Sequence, residues 1–148
     1  MSEWTPANAT STDARKRLLQ LVASAKTSLE MEAEGFGETQ LTDAIIAAHA
    51  RGVAVKIVLE SSQSSTTGEA AAIAKLKDNK VPVVGVTKPY IHAKTIVVDG
   101  TRAFVGSQNF TFTALVQNRE IGVIFDAPAE VAKVRNTITL DYGNGKAL

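Results

Sequence analysis

The chain has 148 residues, of which 45% are hydrophobic and 21% charged, the composition of one ordinary globular domain rather than of a disordered or fibrous protein. It contains no cysteine, which excludes disulfides, thiolate nucleophiles and cysteine-ligated metal sites. The 16 basic and 15 acidic residues leave a formal charge of +1, so the chain lacks the overall positive field that drives non-specific binding to nucleic acids.

The first half of the chain predicts helices and strands in alternation. Residues 1–12 are polar and contain a proline, and we expect a flexible arm there, followed by a single domain over residues 13–148. The first helix is expected to be capped near Ser11 or Thr12. Hydrophobic periodicity predicts a helix over Ala14–Ala25, a strand over Ser28–Glu34, a helix over Thr39–Arg51, a strand over Val53–Leu59 and a helix over Gly68–Asn79. Thr66 and Glu69 have the spacing of a capping box for this last helix.

The second half predicts mainly strands. They are expected at Val81–Val86, Ile91–Val98, Arg102–Gly106 and Glu120–Phe125, with a short helix near Phe110–Val116 and a final helix from about Pro128. Asp99 and Gly100 provide turn chemistry for a hairpin. The order of elements predicts an α/β fold with a mixed, mostly parallel sheet that is flanked by helices on both faces.

Two features of the first half have open interpretations. Glu30, Glu32 and Glu34 share one face of their strand, and a solvated face is the more common explanation. The alternative is that they line the mouth of an active site and favour substrates with a cationic head group. The polar loop Ser61–Gly68 follows the carboxyl end of a strand, so it is either part of an active-site rim or a solvated connector.

Five polar residues of the second half are spaced so that their side chains can meet. His92 and Lys94 are two apart on a predicted strand, so both leave the same face. Ser107 and Asn109 are also two apart and directly follow a strand. Glu120 begins the next strand, where its carboxylate can accept a proton from His92 and fix the tautomer of the ring. This pattern predicts a nucleophile, its orienting base and a set of converging donors.

The segment from His92 to Asn109 reads H-x-K-x4-D-x6-G-S-x-N and resembles the signature of the phospholipase D superfamily at every position. The segments RGVAVKIVLE and QNREIGVIFDAP also look like this superfamily, so the resemblance covers most of the chain. It implies a phospholipase D-like half domain with His92, Lys94, Ser107, Asn109 and Glu120 as its catalytic residues.

The resemblance also implies a reaction. His92 would attack phosphorus to form a phosphohistidine, and water would then release the product, with no metal or other cofactor. Lys94, Ser107 and Asn109 would bind the phosphate. The inventory of residues agrees, because the chain has only two histidines and no acidic cluster with the spacing of metal ligands around either of them.

Asp99 and Gly106 are expected to be structural parts of the motif. Asp99 is seven residues after His92, an odd offset that directs it to the opposite face of a regular strand. It also lies where the hairpin turns.

The implied reaction needs a second acid, because the leaving oxygen must be protonated while His92 is bonded to phosphorus. The superfamily supplies this acid with a second copy of the motif, and this sequence has one copy. We therefore expect either a homodimer in which two motifs face each other or a missing second half that carries the other motif.

The expected function is hydrolysis of a phosphodiester, with phospholipid slightly favoured as the substrate. The alternatives are a non-specific endonuclease that acts on DNA or RNA as a homodimer, and an inactive isolated half of a two-motif enzyme. No apolar run has the length of a transmembrane segment. The chain as given is expected to be soluble and cytoplasmic, with secreted or periplasmic proteins as the alternative if a signal peptide has been removed.

Overall fold

The computed structural model describes the backbone of residues 3–6 and the complete residues 13–148. Of the predicted flexible arm over residues 1–12, Glu3–Pro6 form a strand. The rest of that arm, with the expected cap residues Ser11 and Thr12, lies outside the described residues.

The elements follow the predicted order, with a further strand at each end of the described chain. They are β1 (Glu3–Pro6), α1 (Asp13–Ala23), β2 (Ser28–Ala33), α2 (Thr39–Ala50), β3 (Ala54–Glu60), α3 (Thr67–Asp78), β4 (Val83–Val86), β5 (Lys94–Val98), β6 (Arg102–Gly106), β7 (Ile121–Phe125), α4 (Pro128–Asn144) and β8 (Lys146–Ala147). The short helix expected near Phe110–Val116 is a single wide turn at Thr113–Gln117.

The described strands form one mixed sheet in the order β1-β7-β6-β5-β2-β3-β4-β8. The prediction of a mixed sheet is confirmed, but the prediction that it is mostly parallel is wrong. Only the β2–β3 and β3–β4 pairings are parallel, and the other five pairings among the described strands are antiparallel. The short connection after β5 accounts for the antiparallel β5–β6 pairing, since parallel neighbours need a crossover of a dozen or more residues.

Helices cover both faces of the sheet, as predicted. On one face, α1, α2 and α3 contribute Leu21, Ile45 and Leu76 to a large core. On the other face, α4 packs through Val131 and Ile138 in a smaller core. Because successive residues of a strand point to opposite faces, each central strand is buried on both sides.

The acidic residues of β2 point towards α4 rather than into solvent. Glu30 and Glu32 are each 3% exposed, so the expectation of a solvated strand face is wrong for these two residues. Arg135 of α4 donates to Glu30 (Nε to Oε1, 2.8 Å), and Glu32 shares a hydrogen bond with Asp141 of the same helix. Acidic alternation gives the same sequence pattern whether water or a polar helix covers the face.

The start of α3 also differs from the prediction. Thr66 precedes the helix, but its hydroxyl donates to the carbonyl of Gln63 instead of capping the helix. Glu69 does not turn back to Thr66, because its Oε2 accepts the backbone N–H of Phe36 (3.1 Å). The predicted capping box is therefore absent, and Glu69 joins α3 to the segment that follows β2.

Asp99 ties the hairpin between β5 and β6 to the segment before β2. Its carboxylate accepts backbone N–H groups from Lys26, Thr27 and Ser28, with Oδ1 2.7 Å from the nitrogen of Thr27. Burial alone would raise the pKa of Asp99, but these hydrogen bonds lower it below its usual value. Asp99 thus acts at the end of β5 that lies away from His92.

No helix in the described part of the chain is both long and apolar enough to cross a bilayer.

Replacement of Glu32 by glutamine is expected to flatten the dependence of stability on pH. Burial and the carboxylate of Asp141 raise the pKa of Glu32 from 4.5 to about 7. In that range the folded state keeps a proton that the unfolded chain gives up, so the free energy of unfolding falls as the pH rises. Glu32→Gln has no titratable proton and stays neutral at every pH, and its amide can donate to Asp141. We expect it to be more stable than the wild type by roughly 1–3 kcal/mol at pH 8.5 in urea unfolding.

The matched control for this measurement is Glu130→Gln, which removes a carboxylate from an exposed pair with Lys133 on α4. It should follow the pH profile of the wild type. If Glu32→Gln and the wild type lose stability in parallel between pH 5 and pH 8.5, then Glu32 does not hold the proton.

Candidate active site

The predicted polar residues lie beyond one edge of the sheet. Strands β2 and β6 end at this edge, and β5 and β7 begin there, because neighbours in this half of the sheet are antiparallel. The segments just outside the edge carry all five residues predicted to be catalytic and a sixth that was not: His92, Lys94, Ser107, Asn109, Glu120 and Glu34. The topology therefore brings residues from four separate segments to one place.

His92 and Lys94 converge on one carboxylate oxygen. Oε2 of Glu34 lies 2.9 Å from His92 Nε2 and 2.9 Å from Lys94 Nζ. The ammonium also donates to the backbone carbonyl of His92 (2.7 Å). β5 begins at Lys94, so His92 precedes the strand, yet the two side chains share one surface as their spacing predicted.

The three groups of this cluster differ in exposure. The side chain of His92 is 76% exposed, that of Glu34 is 19% exposed and that of Lys94 is 5% exposed. The imidazole is therefore open to a substrate, while the ammonium lies beneath it and is screened little by water.

Glu34 is ionised at neutral pH. Burial on its own would raise the pKa of this carboxyl, but the hydrogen bond and the charge of Lys94 outweigh burial, with smaller contributions from Tyr90 and His92. The pKa of Glu34 is therefore below its usual value. Its second oxygen, Oε1, accepts the hydroxyl of Tyr90 (3.1 Å).

The predicted contact between Glu120 and His92 is absent, because each side chain has another partner in the structure. The hydroxyl of Ser107 donates to Oε2 of Glu120 and accepts the backbone N–H of Ile121 (3.1 Å). Asn118 donates to Oε1 of Glu120 (3.2 Å). Because the only proton of the Ser107 hydroxyl goes to Glu120, this arrangement leaves Ser107 no proton for a phosphate oxygen.

Asn109 is held by the segment that carries Glu34. Its Oδ1 accepts the backbone N–H of Gly35 (3.2 Å), so its amide protons remain for another acceptor. A Cβ at Gly35 would lie 3.0 Å from Asn109 Cγ, a tight contact that Asn109 could relieve only by shifting. Glycine at 35 therefore lets Asn109 keep this position.

Gly106 is required by close packing at the end of β6. A Cβ there would lie 2.7 Å from the ring of Phe104 and 2.9 Å from the Cα of Gly122. The structural role predicted for Gly106 has this physical basis.

Two buried carboxylates position the backbone of the site: Glu60, which the sequence analysis did not single out, and Glu69, which it considered only as a helix cap. Glu60, at the end of β3, is fully buried, and its Oε2 accepts the N–H of Ile91 (2.7 Å), the residue before His92. Its Oε1 accepts the N–H and the hydroxyl of Ser62.

Burial, with the nearby charges of Glu34 and Glu60, raises the pKa of Glu69 to about 7, although its hydrogen bond from Phe36 acts in the opposite sense. The signal that could have identified Glu60 is a charged residue that closes an apolar strand, as in VKIVLE.

The loop after β3 lies beside this site. Tyr90, two residues before His92, hydrogen-bonds Gln63 of the loop as well as Glu34. The described residues contain no group of three His, Asp or Glu side chains that could hold a metal ion.

Comparison with known proteins shows what the chain is similar to. The family model described as "Cardiolipin synthase, PLD-like domain" matches residues 18–141. The mitochondrial cardiolipin hydrolase of Danio rerio is 33% identical over 112 residues, which cover 76% of this chain and 49% of that protein. A phospholipase D of Rickettsia bellii is 34% identical over 133 residues, which cover 88% of this chain and 65% of that protein. The chain thus spans about half to two thirds of the length of these relatives.

Solved structures match the chain over its whole length. A phospholipase D family member, Nuc from Salmonella typhimurium, is 27% identical with a TM-score of 0.92, over 100% of this chain and 99% of that one. NucT from Helicobacter pylori is 17% identical with a TM-score of 0.90 over the same shares, and it supports the fold alone. The mixed α/β fold predicted from the sequence is confirmed.

Replacement of Glu60 by alanine is expected to loosen the segment before His92. The buried N–H of Ile91 would lose its acceptor, which costs about 1–3 kcal/mol of stability. Glu60→Gln keeps one oxygen acceptor and should lose less. Thermal unfolding measures the cost, and amide hydrogen exchange at Ile91 locates it. Unchanged exchange at Ile91 in Glu60→Ala would show that Glu60 does not hold this segment.

Proposed function

The chain belongs to the phospholipase D superfamily, and on that basis we propose that it is a metal-independent phosphodiesterase whose nucleophile is His92. The observation that carries the proposal is the convergence of His92 Nε2 and Lys94 Nζ on a single anionic oxygen, 2.9 Å from each. A phosphodiester needs the same two elements, a nitrogen that faces phosphorus and a cation that neutralises a non-bridging oxygen.

In the first step, Nε2 of His92 attacks phosphorus and the bond to the leaving oxygen breaks, which gives a phosphohistidine. Lys94 and the amide of Asn109 stabilise the charge on the non-bridging oxygens. The side-chain oxygen of Asn109 accepts the N–H of Gly35, so the side-chain NH2 group is the part of Asn109 that can face the phosphate.

In the second step, water attacks phosphorus, the bond to His92 breaks, and the phosphomonoester leaves. An acid must give a proton to the leaving oxygen in the first step, and its conjugate base must take a proton from water in the second. This acid is the histidine of a second motif, from another copy of the chain or from a missing half. Glu120, fixed by Ser107, is available to orient a histidine in that assembly.

Phospholipid is the substrate class that we favour. The relatives are named for cardiolipin hydrolysis or as phospholipase D. The site itself is rich in carboxylates, with Glu34 and Glu60 close enough to raise the pKa of Glu69. Such a site repels a polyanionic strand more than it repels a single phosphodiester.

The second candidate is an endonuclease that acts on DNA or RNA as a homodimer. The match to Nuc favours this candidate because it covers nearly the whole of both chains. Such a match is expected if each protein carries one motif per chain. The third candidate is an inactive half that needs a partner protein.

His92→Ala is expected to abolish turnover of bis(p-nitrophenyl) phosphate in EDTA, with a fall of at least roughly 1,000-fold in kcat because the nucleophile is lost. The matched control is His49→Gln, which changes the other histidine, on α2. It should keep the activity of the wild type. Loss of the wild-type activity in EDTA would refute the metal-independent mechanism, and an active His92→Ala would refute the nucleophile. Light scattering on the same samples separates the remaining cases, since an inactive monomer indicates an isolated half.

The substrate class is tested by comparing two natural substrates in EDTA. We expect release of head group from phosphatidylcholine or cardiolipin vesicles and little cleavage of plasmid DNA, because the carboxylates of the site oppose a polyanion. His92→Ala serves as the blank for both assays. Cleavage of plasmid without hydrolysis of either lipid would favour the endonuclease.

A further inference from the structure

Glu34 occupies the place that a substrate phosphate needs. One oxygen of its carboxylate binds both His92 Nε2 and Lys94 Nζ at 2.9 Å, and the other binds the hydroxyl of Tyr90. Glu34 is not part of the H-x-K-x4-D-x6-G-S-x-N pattern, and it reaches the site only because β2 and β5 are antiparallel neighbours.

An incoming phosphate and Glu34 cannot use these donors together. Lys94 is 5% exposed, and two of its three N–H donors are already used, by Glu34 and by the carbonyl of His92. Nε2 of His92 can make one such contact, and Glu34 takes it. An anionic oxygen that contacts both nitrogens must therefore displace the carboxylate of Glu34 from them.

The displaced carboxylate would remain near the phosphate. Tyr90 holds its other oxygen, and the backbone on either side is fixed: the N–H of Glu34 bonds the carbonyl of Ala93, and that of Gly35 bonds Asn109. Behind it lie the buried Glu60 and Glu69. The repulsion that a bound ligand feels from Glu34 therefore grows with the charge of the ligand.

Substrate and product of the proposed reaction differ in this charge. A phosphodiester carries one negative charge, whereas a phosphomonoester carries about −1.5 to −2 near neutral pH. Repulsion from a fixed carboxylate thus weakens binding of the product more than binding of the substrate.

We propose that Glu34 is a specificity-determining residue, an internal anion that competes with phosphate for His92 and Lys94 and selects the monoanionic diester over the dianionic monoester. The inference rests on the proposed function in that these two residues receive the phosphate. Its expected benefit is reduced inhibition by the product.

The test measures by NMR titration how tightly two probes bind to the intact chain at pH 8. Inorganic phosphate is the dianion, and dimethyl phosphate is the monoanion. Glu34→Gln keeps an oxygen that accepts from Lys94 but has no charge. It should bind inorganic phosphate at least about fivefold more tightly than the wild type, and dimethyl phosphate more tightly by a smaller factor. Glu130→Gln, the same change in an exposed pair on α4, should bind both probes as the wild type does.

Steady-state kinetics with bis(p-nitrophenyl) phosphate give a second readout. Glu34→Gln should show a lower KM and stronger inhibition by added phosphomonoester. A fall in kcat with unchanged affinity for both probes would overturn the proposal, because it would make Glu34 a residue that only orients His92. An equal gain for the two probes would also overturn it. Thermal unfolding of Glu34→Gln verifies that Lys94 remains packed.

The two proposals can fail separately. Tighter and selective binding of inorganic phosphate by Glu34→Gln, in a protein that hydrolyses no diester, would leave this inference standing and refute the function. Hydrolysis that depends on His92, with unchanged phosphate affinity in Glu34→Gln, would do the reverse.

Discussion

The register between β2 and β5 is the constraint on which the site depends. Ala33 lies opposite Lys94 in this antiparallel pair, so the residues just beyond, Glu34 and His92, emerge at the same edge of the sheet. A slip of one residue would turn every side chain of one strand to the opposite face and separate Glu34 from His92. The register is strongly specified because both strands are buried on both faces, with Met31 and Ile96 in one core and Val97 in the other.

Carboxylates hold much of the irregular backbone around this edge. Glu60 binds the N–H of Ile91, Glu69 binds that of Phe36, and Glu38 binds that of Leu41 at the start of α2. Charge-assisted bonds of this kind are stronger than bonds to neutral acceptors, and they fix segments that no strand partner can fix. The consequence is that negative charge accumulates beside a site that must receive an anion. The carboxylates that fix the backbone therefore oppose the binding of an anionic substrate, and Lys94 supplies positive charge that offsets them.

The sequence was sufficient to find the residues of the motif, because their side chains are brought together by short strands and a tight hairpin. It was not sufficient to find their partners. The contact of Glu34 with His92 joins positions far apart in the chain, and the alternation of Glu30, Glu32 and Glu34 fits a solvated face equally well. The expectation of a mostly parallel sheet extended the alternation of the first half into a second half that has no helix between β4 and β5 or between β5 and β6 to make a parallel crossover. Each error arose where contacts between distant segments, rather than local pattern, decide the outcome.

The bond from the ammonium of Lys94 to the carbonyl of His92 couples two parts of the site that would otherwise be positioned independently. The position of the ammonium relative to the backbone of His92 is therefore set within three consecutive residues, while the ring itself is held by Glu34 from the segment after β2. A small displacement at the start of β5, as when another protein surface docks against this edge, would carry the ammonium and the backbone of His92 together. The H-x-K segment therefore moves as one unit, and its orientation towards Glu34 still depends on the register of β2 and β5.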